Sequence, residues 1–328
     1  MGKKIIALTA AALLLALLAA GCGGNSGGSQ DSNQSSGEQK FITIATGGTA
    51  GTYFPLGGAL ADIWNNNIKG VNSTAQSTGA SVANVNLLRD GKVDVIFVQN
   101  DIAYYAANGT EMFKDKKYED IRGLVTLYPE TIQIVTLESK GINKIEDLKG
   151  KKVAVGAAGS GAEANARQIL AAAGITYNDI NAQYLSFAEA ANNLKDGNID
   201  AAFLTAGFPT AAVQDIAAQH KIKLIPVDDA FADKLIQQYP FYTKTVIPAN
   251  TYSGQAEDVK AVSVMSMLAV SSKMDEETAY NLVKTMYENL NRLEAAHAVG
   301  KKIKPETGQL GMSITLHPGA EKYFKEKK

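Results

Sequence analysis

Hydroxyl, amide and glycine residues gather at five points of the 328-residue chain. They are Gly48, Thr49, Gly51, Thr52 and Tyr53; Thr78, Gly79, Ala80 and Ser81; Gln99 and Asn100; Gly159, Ser160 and Gly161; and Thr205, Ala206, Gly207 and Phe208. Each cluster falls where an apolar run gives way to a helical period, so each predicts a strand end feeding a helix N-terminus. Such a terminus offers unpaired N–H groups and a partial positive charge, worth about 0.3–2 kcal/mol to an anion placed there. Glycine lets a ligand approach the backbone, and Thr and Ser hydroxyls add donors. This set can hold a carboxylate without a cation, the expected donors being backbone N–H groups with Thr49, Thr52, Ser81, Ser160 and Thr205. Tyr53, Tyr128 and Phe208 either cover an apolar part of the ligand or belong to the core. The arginines, Arg89, Arg122, Arg167 and Arg292, all fall outside these loops. Replacing Ser160 and Thr205 together by Ala is expected to weaken binding and leave the unliganded fold nearly unchanged.

Catalytic chemistry finds less support. His220, His297 and His317 show no metal-ligand spacing, and the single Cys22 excludes a disulfide, a Cys-based metal site and a redox pair. Gly159-Ser160-Gly161-Ala162-Glu163-Ala164 fits the loose dinucleotide fingerprint but lacks an acidic residue at the next strand end, and no Gly-Lys-Ser/Thr follows either glycine cluster. A dinucleotide-dependent enzyme is thus the weaker alternative to a binding protein without cofactor or metal. His317, before Pro318, reads as a turn residue.

The elements that carry these loops come in two similar sets. Leu87-Leu88-Arg89-Asp90-Gly91-Lys92-Val93-Asp94 is echoed by Asn193-Leu194-Lys195-Asp196-Gly197-Asn198-Ile199-Asp200, each a helix end, an Asp-Gly stop and a strand start. Because the repeat carries both aspartates, a shared turn role explains them better than acid/base work. Strands are predicted at 42–46, 71–76 and 93–98 in the first set and at 152–155, 182–185 and 199–204 in the second. Helices follow at 53–66, up to 89, through 104–105, 162–173 and 187–195, the last with Ser186 as N-cap and Glu189 completing a capping box. Strand, loop, helix in repetition implies parallel sheets with the loops gathered at one edge. Extended residues 124–137 should carry the chain from the first set to the second, and 242–252 should bring it back. A Met-rich strand at 262–270 and a long helix from the Asp275 cap to about Ala298 then follow.

Lys3-Lys4, an apolar Ile5–Leu18 and Ala19-Ala20-Gly21-Cys22 form a leader at 1–21 of the bacterial lipoprotein kind, with Cys22 as the lipid attachment point. The Gly, Ser, Asn and Gln of 22–39 make a flexible tether. Formal net charge is −1, and the lysine pairs are scattered, which argues against a nucleic-acid partner.

Gly47-Gly48-Thr49-Ala50-Gly51-Thr52-Tyr53, Thr78-Gly79-Ala80-Ser81-Val82-Ala83-Asn84, Gly159-Ser160-Gly161, Thr205-Ala206-Gly207-Phe208-Pro209-Thr210-Ala211 and Leu316-His317-Pro318-Gly319-Ala320-Glu321-Lys322-Tyr323 together resemble the TAXI group of solute-binding proteins, over about 41–324. Members serve tripartite ATP-independent periplasmic (TRAP) transporters and are linked to glutamate, 2-oxoglutarate and related carboxylates. The resemblance implies an α/β, two-lobed periplasmic-binding-protein-like fold (type II), each lobe a sheet flanked by helices, with a ligand cleft and a two-segment hinge between them. Lobe 1 would be 40–127 and 250–328, and lobe 2 would be 128–249. It further implies a monomer, exported and lipid-anchored to the outer face of the cell membrane, that takes a small anionic or zwitterionic ligand to a TRAP-type permease. A ligand-sensing lipoprotein serving a signalling receptor fits the same residues.

Overall fold

In the computed structural model, which describes residues 39–327, the strand–loop–helix repeat occurs in two runs. The first is β1 (Lys40–Ala45), α1 (Tyr53–Asn67), β2 (Val71–Gln76), α2 (Ser81–Arg89), β3 (Val95–Gln99) and α3 (Asn100–Asn108), leading into a long β4 (Ile121–Leu137). The second is β5 (Lys152–Ala154), α4 (Gly161–Ala172), β6 (Asn181–Gln183), α5 (Phe187–Lys195), β7 (Ala201–Ala206), α6 (Ala211–Ala217), β8 (Ile222–Ile225), α7 (Asp229–Gln238) and β9 (Thr243–Ile247). A second long strand, β10 (Val259–Ser271), precedes α8 (Glu276–Glu288), α9 (Leu290–Ala296) and α10 (Pro318–Glu326). The expected leader at 1–21, Cys22 and the tether up to residue 38 lie outside the described residues.

The repeated Asp-Gly-x-x-Asp segment does the same job in both runs. Asp90 and Asp196 cap the C-termini of α2 and α5, and Gly91 and Gly197 turn the chain at φ +68° and +75°, where a side chain would be strained. Asp94 Oδ2 then accepts the Thr43 N–H of β1 at 2.7 Å, and Asp200 Oδ2 accepts the Lys152 N–H of β5 at 2.9 Å. Each aspartate therefore ties the start of one strand to its neighbour. The α5 capping box forms as expected, with Ser186 and Glu189 exchanging bonds. Asp275 caps α8 by accepting the Thr278 N–H, but the helix expected to reach Ala298 breaks at Asn289, whose φ of −130° leaves the helical region.

Among the described residues the strands form one sheet in the order β2-β1-β3-β10-β4-β7-β5-β6, with β8 on β4 and β9 on β10. Pairing is parallel within β2-β1-β3 and within β6-β5-β7, as strand–helix repetition requires, and antiparallel wherever β4 or β10 takes part. These two strands belong to both runs. The N-terminal part of β4 and the C-terminal part of β10 pair beside β3; the remaining parts pair with β7, β8 and β9. The chain thus returns through β10 and not through 242–252. There β9 turns back through Asn250, at φ +62° and bonded to Gln255 O, and pairs antiparallel with β10.

Side-chain alternation on β10 places Leu268 and Val270 in one core and Met267 and Ala269 in another, on opposite faces of the first run. Val262 and Val264 likewise face one core of the second run and Ala261 the other. Trp64 of α1 is fully buried in the first of these cores and donates its indole N–H to Leu282 O of α8 at 3.0 Å, fixing two helices on the same sheet face.

Candidate functional site

The strand ends of both runs meet at one pocket of about 580 Å³, solvent mouth included. Of the residues expected from sequence, Gly48, Gly51, Thr52 and Tyr53 reach its wall from the β1–α1 loop and Thr78, Gly79, Ala80 and Ser81 from the β2–α2 loop. Gln99 comes from the end of β3, Ser160 and Gly161 from the start of α4, and Thr205 from β7. The first N–H groups of α1, α2 and α4 have no acceptor inside their own helices. Neither α1 nor α2 has a side-chain cap; the Ala83 N–H of α2 is taken by the Gly159 carbonyl, and the other first N–H groups of these two helices lie at the pocket wall. Ala80, at φ +70° just before α2, is the non-glycine residue that turns the chain there.

Other expected residues lie away from the wall. Thr49 is exposed, and Gly159 is exposed with its carbonyl accepting the Ala83 N–H at 3.0 Å. Asn100 is committed to the backbone, donating to Gly311 O and accepting from the Met265 N–H. Tyr128 is core, Ala206 pairs with Thr131 between β4 and β7, and Gly207 packs against Val299 and accepts the Thr52 hydroxyl at 3.3 Å. The Phe208 ring lies under the Lys302 ammonium, 4.4 Å from its centroid. Ser160 caps α4, its Oγ accepting the Glu163 N–H at 3.1 Å. The expectation that Ser160 could be removed without cost to the fold is therefore corrected: part of its hydroxyl is structural.

Gly47, Ala157, Ala162, Ser186, Phe187 and Glu130 complete the wall without having been singled out. Glu130 matters most, being 3% exposed in the middle of β4. Its Oε2 accepts the Tyr53 hydroxyl at 2.7 Å and its Oε1 the Tyr128 hydroxyl at 3.4 Å. Burial pushes its carboxyl up to about 8; the Tyr53 hydroxyl opposes this and the Asp101 charge adds to it. An acidic residue as the only charge in the extended run 124–137 was the available signal for it.

The two runs are also bonded to each other around the pocket. Gln99 Nε2 donates to Asn165 Oδ1 of α4 at 3.0 Å, and Asn165 Nδ2 donates to Asp101 Oδ2 at 3.0 Å and to the Tyr242 hydroxyl at 2.9 Å. Thr205 Oγ1 donates to the same Asn165 Oδ1 at 3.1 Å. Gln168 of α4 reaches the Tyr105 hydroxyl of α3 at 3.1 Å. Asp101 is fully buried here, and burial lifts its carboxyl to about 7 against the Ile102 N–H and Asn165 amide.

Solved structures share this architecture at low identity. A putative L-cystine ABC transporter from Listeria monocytogenes is 18% identical, covers 82% of this chain and 99% of that one, and superposes with a TM-score of 0.51. A structure from Bordetella bronchiseptica RB50 is 18% identical over 85% of this chain and 83% of that one, with a TM-score of 0.53. The periplasmic aliphatic sulphonate binding protein SsuA from Escherichia coli gives 17% identity, 87% and 83% coverage, and a TM-score of 0.45. The fold is accordingly α/β and two-lobed, of the periplasmic-binding-protein class, with helices flanking the sheet. The chain belongs to the NMT1-like family, which matches it over residues 44–327.

Proposed function

We infer that the protein is an extracytoplasmic solute-binding protein of a transporter, of the TAXI kind that feeds a TRAP-type permease. It captures a small carboxylate or amino acid, such as glutamate, glutamine, 2-oxoglutarate or a similar dicarboxylate, by closure of its lobes. The observation that carries this reading is the convergence of helix starts without side-chain caps and the Ser81 and Ser160 hydroxyls on one pocket between the two strand–helix runs. In this reading β4 and β10 are the hinge, since they alone pair with strands of both runs. The lipid on Cys22 anchors a monomer to the outer face of the cell membrane.

A thermal-shift screen of carboxylates, amino acids, sugars and metal ions tests the reading. A ligand at a hundredfold excess over its Kd adds about 2.7 kcal/mol of stability. The expected hits are glutamate, glutamine, 2-oxoglutarate or a close dicarboxylate. A response confined to sugars or metals would sink the helix-terminus argument.

A further inference from the structure

The pocket is not uniformly a site for anions. Among the helix starts that line it lies a group of acceptors with few donors: Glu130 beside Tyr53 of α1, and Gln99 Oε1 and Thr205 beside α4. Glu130 is buried in the wall, where it accepts the Tyr53 and Tyr128 hydroxyls and the neighbouring Gln99 amide also favours its charged form. None of the ion pairs among the described residues includes it. The Asp101 charge that acts on it has its own sign.

The Gln99 amide adjoins this carboxylate, and its Oε1 is a second unsatisfied acceptor. Gln99 is 2% exposed and lines the pocket. The orientation of its amide follows from a chain of bonds. Asp101 Oδ1 accepts the Ile102 N–H and Oδ2 accepts the Asn165 side chain, so Asn165 presents its NH2 to Asp101 and its carbonyl to Gln99. Gln99 must then donate to Asn165, which turns its Oε1 away from every partner in the protein. Thr205 spends its proton on the same Asn165 oxygen, leaving its own lone pairs for the pocket. Buried acceptors without donors are costly, and an ammonium group, with three N–H donors and a positive charge, satisfies three of them at once.

We propose that Glu130, Gln99 Oε1 and Thr205 Oγ1 form the recognition site for a ligand ammonium group, so that the protein selects zwitterionic amino acids over the matching oxo- and hydroxy-acids. This rests on the binding-protein reading and narrows its ligand class. The ammonium would lie toward Glu130 of β4, and the carboxylate toward the first-turn N–H groups that line the same pocket. An oxo-acid placed the same way brings no N–H donor to Gln99 Oε1 and Thr205 Oγ1, and once Glu130 ionises sets a carbonyl oxygen against a carboxylate. The titratable groups that face Glu130 are Tyr53 from α1, Tyr128 from β4 itself and Asp101 from α3. Neither phenol ionises below pH 8, since burial raises both.

Titration calorimetry of the purified full chain with matched pairs differing only at the α-carbon, L-glutamate against 2-oxoglutarate and L-alanine against pyruvate, provides the test. The amino member of a pair should bind at least about a hundredfold more tightly, because a site built to hydrogen-bond a polar group rejects the analogue that lacks it. Its Kd should fall about fiftyfold from pH 6 to pH 8, with proton release, as Glu130 ionises more readily around the ammonium. Glu130→Gln should abolish both the pH dependence and the amino-over-oxo preference. Glu130→Asp should retain the preference at reduced affinity, and unchanged circular dichroism certifies that the variants fold. An oxo-acid that binds as tightly as its amino partner, or more tightly toward pH 6, would overturn the proposal. It would instead make Glu130 a protonated donor to a carboxylate while leaving the binding-protein reading intact. Silence from every pair beside a thermal-shift response to another carboxylate would remove this proposal alone, and silence in the thermal-shift screen as well would remove both.

Discussion

Substituting Gly161→Ala isolates the closed state of the pocket. Gly161 is the first residue of α4, and a Cβ built there would lie 1.8 Å from Gln99 Oε1 and 2.4 Å from Gln99 Cδ. Ordinary carbon contacts need about 3.5 Å, so the overlap is on the order of 1.5 Å. Gln99 has little room to move, since it is buried and its Nε2 is held by Asn165. Inserting one methyl group into such a contact costs about 1–3 kcal/mol. Gln99 sits on the first strand–helix run and Gly161 on the second, so the overlap exists only while the two are together. In the proposed reading ligand binding closes the lobes and should carry the whole cost, raising Kd about five- to 140-fold. In the same reading the ligand-free lobes part at this contact, and Ala is a good residue for a helix start, so urea melts without ligand should move by less than about 0.5 kcal/mol. The assay is calorimetric Kd for the best thermal-shift ligand, read beside those melts. An unchanged Kd, or a ligand-free destabilisation as large as the loss in binding, would refute the reasoning by making the contact part of the resting fold.

Two further outcomes are expected. Asp200→Asn should lower stability at pH 7 by about 1–2 kcal/mol and leave ligand affinity unchanged. Burial raises the Asp200 carboxyl, but the Lys152 N–H and the Lys140 ammonium more than offset this and hold it below the usual range. Its contribution is therefore present above the unfolded value near 3.9 and is lost as pH falls through the lower folded value, so the wild-type and variant urea midpoints should converge in acid. Ser160→Ala should remove the cap of α4 and cost about 1 kcal/mol in ligand-free melts, as well as weakening binding.

The elements were largely legible because their signals are local. β2 at 71–76 and α5 at 187–195 match their expected limits, since a glycine, a capping box and an Asp-Gly stop mark them within a few residues. The return through β10 was not legible. Nothing local distinguishes a strand that leads onward from one, like β9, that turns back at Asn250. The site shows the same division. The loops that meet at the pocket could be read from the repeat, yet which residue of a loop faces inward depends on tertiary packing, so Thr49 points to solvent while Gly48 and Gly51 line the wall. Ser186 and Phe187 were readable as a helix start and carried no mark of their second role in the wall. Glu130 escaped because the β-branched, extended stretch around it was informative enough to be read as a strand and nothing else.

Trp64 is the only tryptophan in the chain, and its position makes it a built-in optical reporter. It lies in the core between α1 and α8, its indole N–H bonded to Leu282 O, and it forms no part of the pocket wall. Its emission should be that of a dry indole and should shift to the red only when this core admits water. Intrinsic fluorescence will therefore follow unfolding of the α1–α8 core cleanly and remain nearly silent to ligand. A tryptophan substituted at Phe187, in the pocket wall, would supply the second colour needed to watch capture and unfolding separately in one cuvette.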